Sequence, residues 1–161
     1  LKDDAYLELL AAIAPIYDIG MVAIPRGLLI KPDKLSEEES AVVQTHVTVG
    51  AEVMLSVAAK LGSELPFLPL AAEIVRHHHE RWDGSGYPDM LKGHEIPLSA
   101  RVVSLVSVYE ALRSRRPYRP ALSHARAVKL LSQDLQNHFD PHLLAAFLEA
   151  APRFEQIHSE G

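Results

Sequence analysis

Three consecutive histidines, His77, His78 and His79, close an apolar stretch and lead into a segment rich in glycine and proline, Arg81 to Pro97, that also carries Trp82, Asp83 and Tyr87. A neutral imidazole offers a nitrogen lone pair, which makes histidine the commonest side-chain ligand for metals. Adjacent side chains on a helix diverge by about 100°, so at most two of the three can easily reach one centre. A histidine run by itself is usually a polar helix end. Beside a loop whose glycines let backbone approach a ligand closely, the pair reads as a metal or phosphate site. Two more residues are candidates. His46 lies among Val42, Val43, Val47 and Val49, where a lone histidine is most often a core residue. Asp18 lies in a turn between Ile16 and Ile19; its bland role is a turn cap, although an unpaired carboxylate there would be costly. Together, Asp18, His46, His78 and His79 supply one carboxylate and three imidazoles from different stretches, the way helical bundles assemble metal sites.

The elements that must position them are helices. Asp3 to Ala14 carries Leu7, Leu10, Ala11 and Ala14 at helical spacing, with Asp3 and Asp4 suited to a cap or first turn, and Pro15 interrupts it. Met21 to Lys34, punctuated by Pro25, Gly27 and Pro32, reads as an extended crossing. Ser36 and Glu39 form a capping box that opens one long helix towards Leu61, with Gly62 as its C′ residue and His46 in its middle. A helix from about Leu70 ends at His79 or Glu80. Ser99 starts a strongly apolar helix to about Leu112, Ser123 caps one to about Leu135, and Asp140 with Pro141 opens the last. No strand-like alternation and no internal repeat occurs, so the fold class is all-α.

Composition narrows the function. A chain of 161 residues with 48% apolar residues forms one compact domain with a real core. A net charge of −5 argues against a partner that is a nucleic-acid polymer, because such proteins present a basic face. The absence of cysteine removes disulfides, thiolate catalysis and Cys-ligated zinc, and fits a cytoplasmic setting. No apolar run approaches the roughly 18 residues of a membrane span, so no membrane partner is expected. The chain begins at Leu1 rather than Met, which reads as part of something longer.

The run His78 to Leu98, HHERWDGSGYPDMLKGHEIPL, resembles the signature segment of the HD-GYP phosphodiesterases of the HD hydrolase superfamily. The resemblance continues through ARVVSLVSVYEALRSRRPYRPA and FDPHLLAAF, and backwards through Tyr17 to Gly20 and KPDKLSEEE, so it covers nearly the whole chain. It implies an HD-superfamily helical bundle with an ordered Gly-Tyr-Pro loop, and a two- or three-metal centre of iron or manganese that activates water against a phosphodiester of cyclic-di-GMP. By the same resemblance Asp18 is the bridging aspartate, and His46, His78 and His79 are histidine ligands. Gly86, Tyr87 and Pro88 form the signature loop, and Arg116 and Arg119 contact the ligand's phosphates or guanines, for which arginine's planar fork is suited.

The departures from the family pattern lie close together. Tyr17 stands where the family's first histidine ligand belongs, Met21 where a phosphate-holding lysine belongs, and Ser107 where an aspartate ligand belongs; Glu110 is a milder exchange for a second aspartate. The family's first N-terminal helix, with its acidic ligand, also has no counterpart in residues 1–161. The expectation is a degenerate HD-GYP-like domain holding at most one transition metal (iron, manganese, or adventitious zinc or nickel), with no full two- or three-metal centre and impaired catalysis. It would bind cyclic-di-GMP, a GGDEF domain, or both, and report to an upstream regulatory domain or act as a homodimer. Two alternatives stand beside it: an active metal-dependent cyclic-di-GMP phosphodiesterase with a reduced metal site, and a purely structural dimerisation domain whose Arg113, Arg115, Arg116 and Arg119 are merely solvated.

Overall fold

The computed structural model describes residues 4–61, 64–115 and 120–160, the side chains of residues 158–160 excepted. Eight α-helices occur among them: α1 (Asp4–Ile13), α2 (Arg26–Leu29), α3 (Glu37–Gln44), α4 (His46–Leu61), α5 (Leu68–His77), α6 (Leu98–Arg113), α7 (His124–Lys129) and α8 (Pro141–Glu160). No strand is present among the described residues, so the all-α class holds.

Local chemistry sets several boundaries where the sequence placed them. Ser36 Oγ accepts from the Glu39 N–H while Glu39 returns a bond to the Ser36 N–H, a complete capping box. Ser123 caps α7 by accepting from Arg126, and Asp140 accepts from the His142 N–H as Pro141 starts α8. Asp4 sits in the first turn of α1; Asp3 and the proposed C′ residue Gly62 lie outside the described residues.

Four expectations are corrected. The long helix is two, broken at Thr45, where the Thr45 hydroxyl donates to Val42 O and Thr48 donates to Thr45 O, drawing the backbone out of register. His46 therefore opens α4 instead of lying mid-helix. The crossing after Asp18 is not extended: a 3-10 turn at Ile19–Ala23 and the short α2 carry it, so its backbone groups bond locally. The helix from Ser123 passes at Lys129 into a π-helical turn, Leu130–Asp134. Finally, the stretches Asp4–Ala23 and Glu37–Leu61 are long and apolar enough to cross a membrane by length and composition, contrary to the reading above. Each is interrupted, at Pro15 and at Thr45, and the core helix of a soluble protein passes the same test.

α6 is the axis of the bundle. Its apolar residues face in several directions, as expected of a helix enclosed by others. Val103 joins Leu10, Ile13, Ala71 and Ile74 from α1 and α5, while Leu105, Tyr109 and Leu112 join Leu131, Phe139, Leu144 and Phe147 on the other side. The helix begins one residue earlier than expected, at Leu98, because Ser99 is not its cap. Ser99 is buried and donates instead to the Glu73 carboxylate on α5. α4 packs most extensively on α5 and on the turn after Asp18, and that three-way junction makes the site.

Candidate metal centre

Two glycines seat the Asp18 turn on α4. A Cβ at Gly20 would stand 1.9 Å from the His46 carbonyl oxygen, and one at Gly50 would stand 3.1 Å from Gly20 N and 2.7 Å from a Val75 methyl. Only bare backbone fits, so the turn lies flat against the first turns of α4 and Asp18 faces His46. From the other side α5 stops at His77, and the chain turns so that the three histidines part company. His77 points outward to Asp89 at 3.1 Å, while His78 and His79 turn inward. Two of three reach one centre, as helix geometry requires.

The ligand atoms of Asp18, His46, His78 and His79 all lie within 4.8 Å of one another. Nε2 of His46 is 3.3 Å from Asp18 Oδ1, and Nε2 of His78 is 3.4 Å from the same oxygen. Two ligands each about 2.1 Å from a tetrahedral ion stand about 3.4 Å apart, so these edges fit one coordination shell. The backbone fixes which nitrogens face inward. His46 Nδ1 is 2.7 Å from Val43 O, and His78 Nδ1 is 3.0 Å from Val75 O and 3.2 Å from Ile74 O. A carbonyl oxygen can only accept, so both Nδ1 atoms carry hydrogen and a neutral ring presents its Nε2 lone pair to the carboxylate. Asp18 Oδ1 and both Nε2 atoms are buried without a hydrogen-bond partner. Three acceptors facing one another require a positive charge between them, a proton or a metal ion.

The ionisation of the cluster follows. Burial acts to raise the Asp18 carboxyl, but the two facing imidazoles outweigh it and hold the group well below the usual carboxylate range. His79 is lowered to about 3, first by burial and then by the neighbouring His78 and His46, so its ring is neutral and one nitrogen lone pair is available to bind. Burial, reinforced by Asp18, pushes the Tyr87 phenol up, so it stays protonated.

The cluster forms one end of a cavity of about 500 Å³, within the range of small-molecule sites. Tyr17, Met21 and Ser107 all line it. Met21 gives an apolar wall, Ser107 spends its hydroxyl on Ser104 O at 3.0 Å, and Tyr17 lies edge-on to His78 with ring centroids 4.9 Å apart. Leu130, the first residue of the π-helical turn, and Leu135, just after it, complete the far wall.

The loop after α5 is fixed from beneath. Gly86 lies against the His79–Arg81 backbone so closely that a Cβ would stand 2.4 Å from Arg81 N. Glu80 was missed by the sequence reading, although it directly follows the histidine run. It is buried, and its carboxylate accepts from the N–H groups of Asp89 (2.7 Å) and Leu91 (3.1 Å). Asp89 in turn takes a two-pronged bond from Arg76, both contacts at 2.7 Å. Gly84 and Gly93 adopt positive φ where the loop reverses.

The basic turn is mostly out of view. Arg113 donates to Leu122 O at 2.8 Å. Arg116 and Arg119 lie outside the described residues.

Residues 2–143 match the HD domain pattern. The chain belongs to the HD domain family. Among its relatives is a cyclic di-GMP phosphodiesterase of Vibrio cholerae, 44% identical over 98% of this chain and 32% of the relative. A cyclic di-GMP phosphodiesterase response regulator of Xanthomonas campestris is 42% identical over 89% of this chain and 36% of its own. A 3'3'-cGAMP-specific phosphodiesterase of Vibrio cholerae is 37% identical over 89% of this chain and 26% of its own. The HD domain thus spans about a third of the length of these curated relatives.

Proposed function

We propose that this HD domain binds a cyclic dinucleotide of the cyclic-di-GMP class through a single metal ion and has lost ordinary turnover. The observation that carries the reading is the set of buried acceptors at Asp18, His46 and His78, with His79 beside them, in a cavity that Tyr17 and Ser107 also line. An imidazole at 17 and a carboxylate at 107 would extend the cluster to a second ion. A phenol in its neutral form and a hydroxyl already bonded to backbone supply no comparable ligand. When bound, an ion here supplies Lewis acidity to a phosphate oxygen. The protein's own part is to orient that phosphate: the backbone-anchored imidazoles fix its direction, and the apolar wall from Met21 to Leu135 receives the base. The relatives' printed names, which include both cyclic di-GMP and 3'3'-cGAMP, support the ligand class.

As a single HD-GYP-like domain in a cytoplasmic setting, it would report occupancy to an attached upstream domain or to a GGDEF partner. Arg116 and Arg119 are the cationic contacts for the ligand on the sequence reading. Each charge-assisted arginine–phosphate bond is worth roughly 1.5–3 kcal/mol, so Arg116→Ala with Arg119→Ala weakens cyclic-di-GMP binding at least about tenfold. Calorimetry with the nucleotide and a pull-down with a GGDEF domain test this. Absence of both interactions in the unaltered chain sinks it.

A second reading is favoured by the 44% identity to a named cyclic di-GMP phosphodiesterase and by the four converging ligands: turnover on a reduced site. Hydrolysis at about 1 per second or faster with manganese or iron supplied would select it.

A further inference from the structure

Of the three imidazoles in the cluster, two are oriented by backbone and one is not. His46 and His78 are each locked through Nδ1 to a main-chain carbonyl three residues earlier. The imidazole of His79 has no hydrogen bond among the described residues. Its ring is held by packing alone: tilted against His78 at 4.1 Å between centroids, edge-on to His46 at 5.2 Å, and stacked on Tyr87 at 4.8 Å with planes 24° apart. Among these three rings, Tyr87 is the one that stacks near-parallel on His79.

We infer that Tyr87 is a positioning residue for the metal ligand His79, acting through its ring face and not through its hydroxyl. The Tyr87 backbone follows the same path: its N–H donates to His79 O at 3.3 Å, and Gly86 lies directly on the His79–Arg81 turn. Loop and ligand are thereby joined at two points, one through backbone and one through rings. The loop is itself pinned by buried Glu80, so the stack is referred to a rigid base. A side effect is chemical freedom. With no carbonyl fixing its tautomer, His79 can present either nitrogen, and the Tyr87 ring sets the plane in which that nitrogen points.

The inference rests on the metal reading of the cluster, and the test separates the two. The probe is cobalt(II), whose visible absorption reports ligand number and geometry, titrated into metal-free 161-residue chain. Tyr87→Phe keeps the ring and should bind cobalt within about twofold of the parent. Tyr87→Ala should bind at least about tenfold more weakly, the loss typical of removing an outer support, and should shift the cobalt spectrum towards that of His79→Ala. Tyr87→Ala titrating like the parent, or Tyr87→Phe falling as far as Tyr87→Ala, overturns the inference.

A second measurement needs neither metal nor variant stability. In the metal-free parent, NMR should show through-space contacts between the Tyr87 and His79 rings and an upfield ring-current shift of the His79 carbon-bound protons, neither of which a non-stacked His79 would show. Their absence refutes the positioning role whatever the folding of the variants. A parent that binds no cobalt but shows the stacked ring refutes the metal reading, and the positioning of His79 stands.

Discussion

Gly20→Ala is the perturbation whose consequence can be worked most directly from the coordinates. The added Cβ would lie 1.9 Å from His46 O, 2.8 Å from His46 C and 2.9 Å from Gly50 N. All three are backbone atoms at the start of α4, so no side chain can rotate away. The closest contact must open by about 1.6 Å to reach an ordinary separation near 3.5 Å. Coordination distances tolerate only about ±0.2 Å, so the turn carrying Asp18 moves several times further than a shared metal shell can absorb. Overpacking of this kind costs up to about 3 kcal/mol in the metal-free protein. A metal at a hundred times its Kd should add about 2.7 kcal/mol to the parent and nothing to the variant. Urea unfolding of both proteins, with and without manganese, measures each part. A Gly20→Ala protein with the parent's midpoint and the full metal increment would show that the turn is not seated on α4 as described.

In metal-free protein, stability should fall as pH drops from about 6.5 towards about 3. The folded His79 resists protonation down to about 3 while an unfolded imidazole takes its proton near 6.5, so the unfolded chain binds more protons in that window. Asp18, held well below its ordinary value, adds to the loss below about pH 4. A urea midpoint flat from about pH 7.5 to 4 would contradict the His79 part, and one flat below about pH 4 the Asp18 part. Glu80→Ala should destabilise by about 3 kcal/mol, because it strands two inward N–H groups at roughly 1–3 kcal/mol each. Amide exchange at Asp89 and Leu91 should accelerate, and unchanged exchange there would refute the anchoring role. Cyclic-di-GMP hydrolysis should rise only when Tyr17→His, Met21→Lys and Ser107→Asp are combined, since ligands that act as a unit are non-additive. A single exchange that restores full turnover would show that one position alone limits activity.

Much of this was legible because it is written locally. The Ser36–Glu39 box, the Ser123 cap and the Asp140–Pro141 start each need only three or four residues and a hydrogen bond. Helix geometry limits how many of the three histidines can converge, and His78 and His79 come together where α5 ends at His77. What could not be read depends on contacts distant in sequence. Nothing in the composition around Thr45 announces a helix break; its hydroxyl bond to Val42 O and the seating of Gly20 on His46 make one. Glu80 reads in sequence only as a possible helix end, and its role comes from the returning loop, which brings two N–H groups onto its carboxylate. The turn after Asp18 seemed extended because its prolines and Gly27 break regular helix, yet 3-10 bonding satisfies the same residues over shorter spans. The π-helical turn at Leu130–Asp134 has no sequence signature at all, although it shapes the far wall of the cavity.

The most direct test of a single-metal HD domain is elemental analysis of protein purified without chelator or nickel resin, repeated after saturation with manganese and with iron. One transition metal per chain is expected, lost in His46→Ala and in His78→Ala but retained in Ser107→Ala. Two or more stoichiometric metals per chain, or none under saturating conditions, would contradict the account.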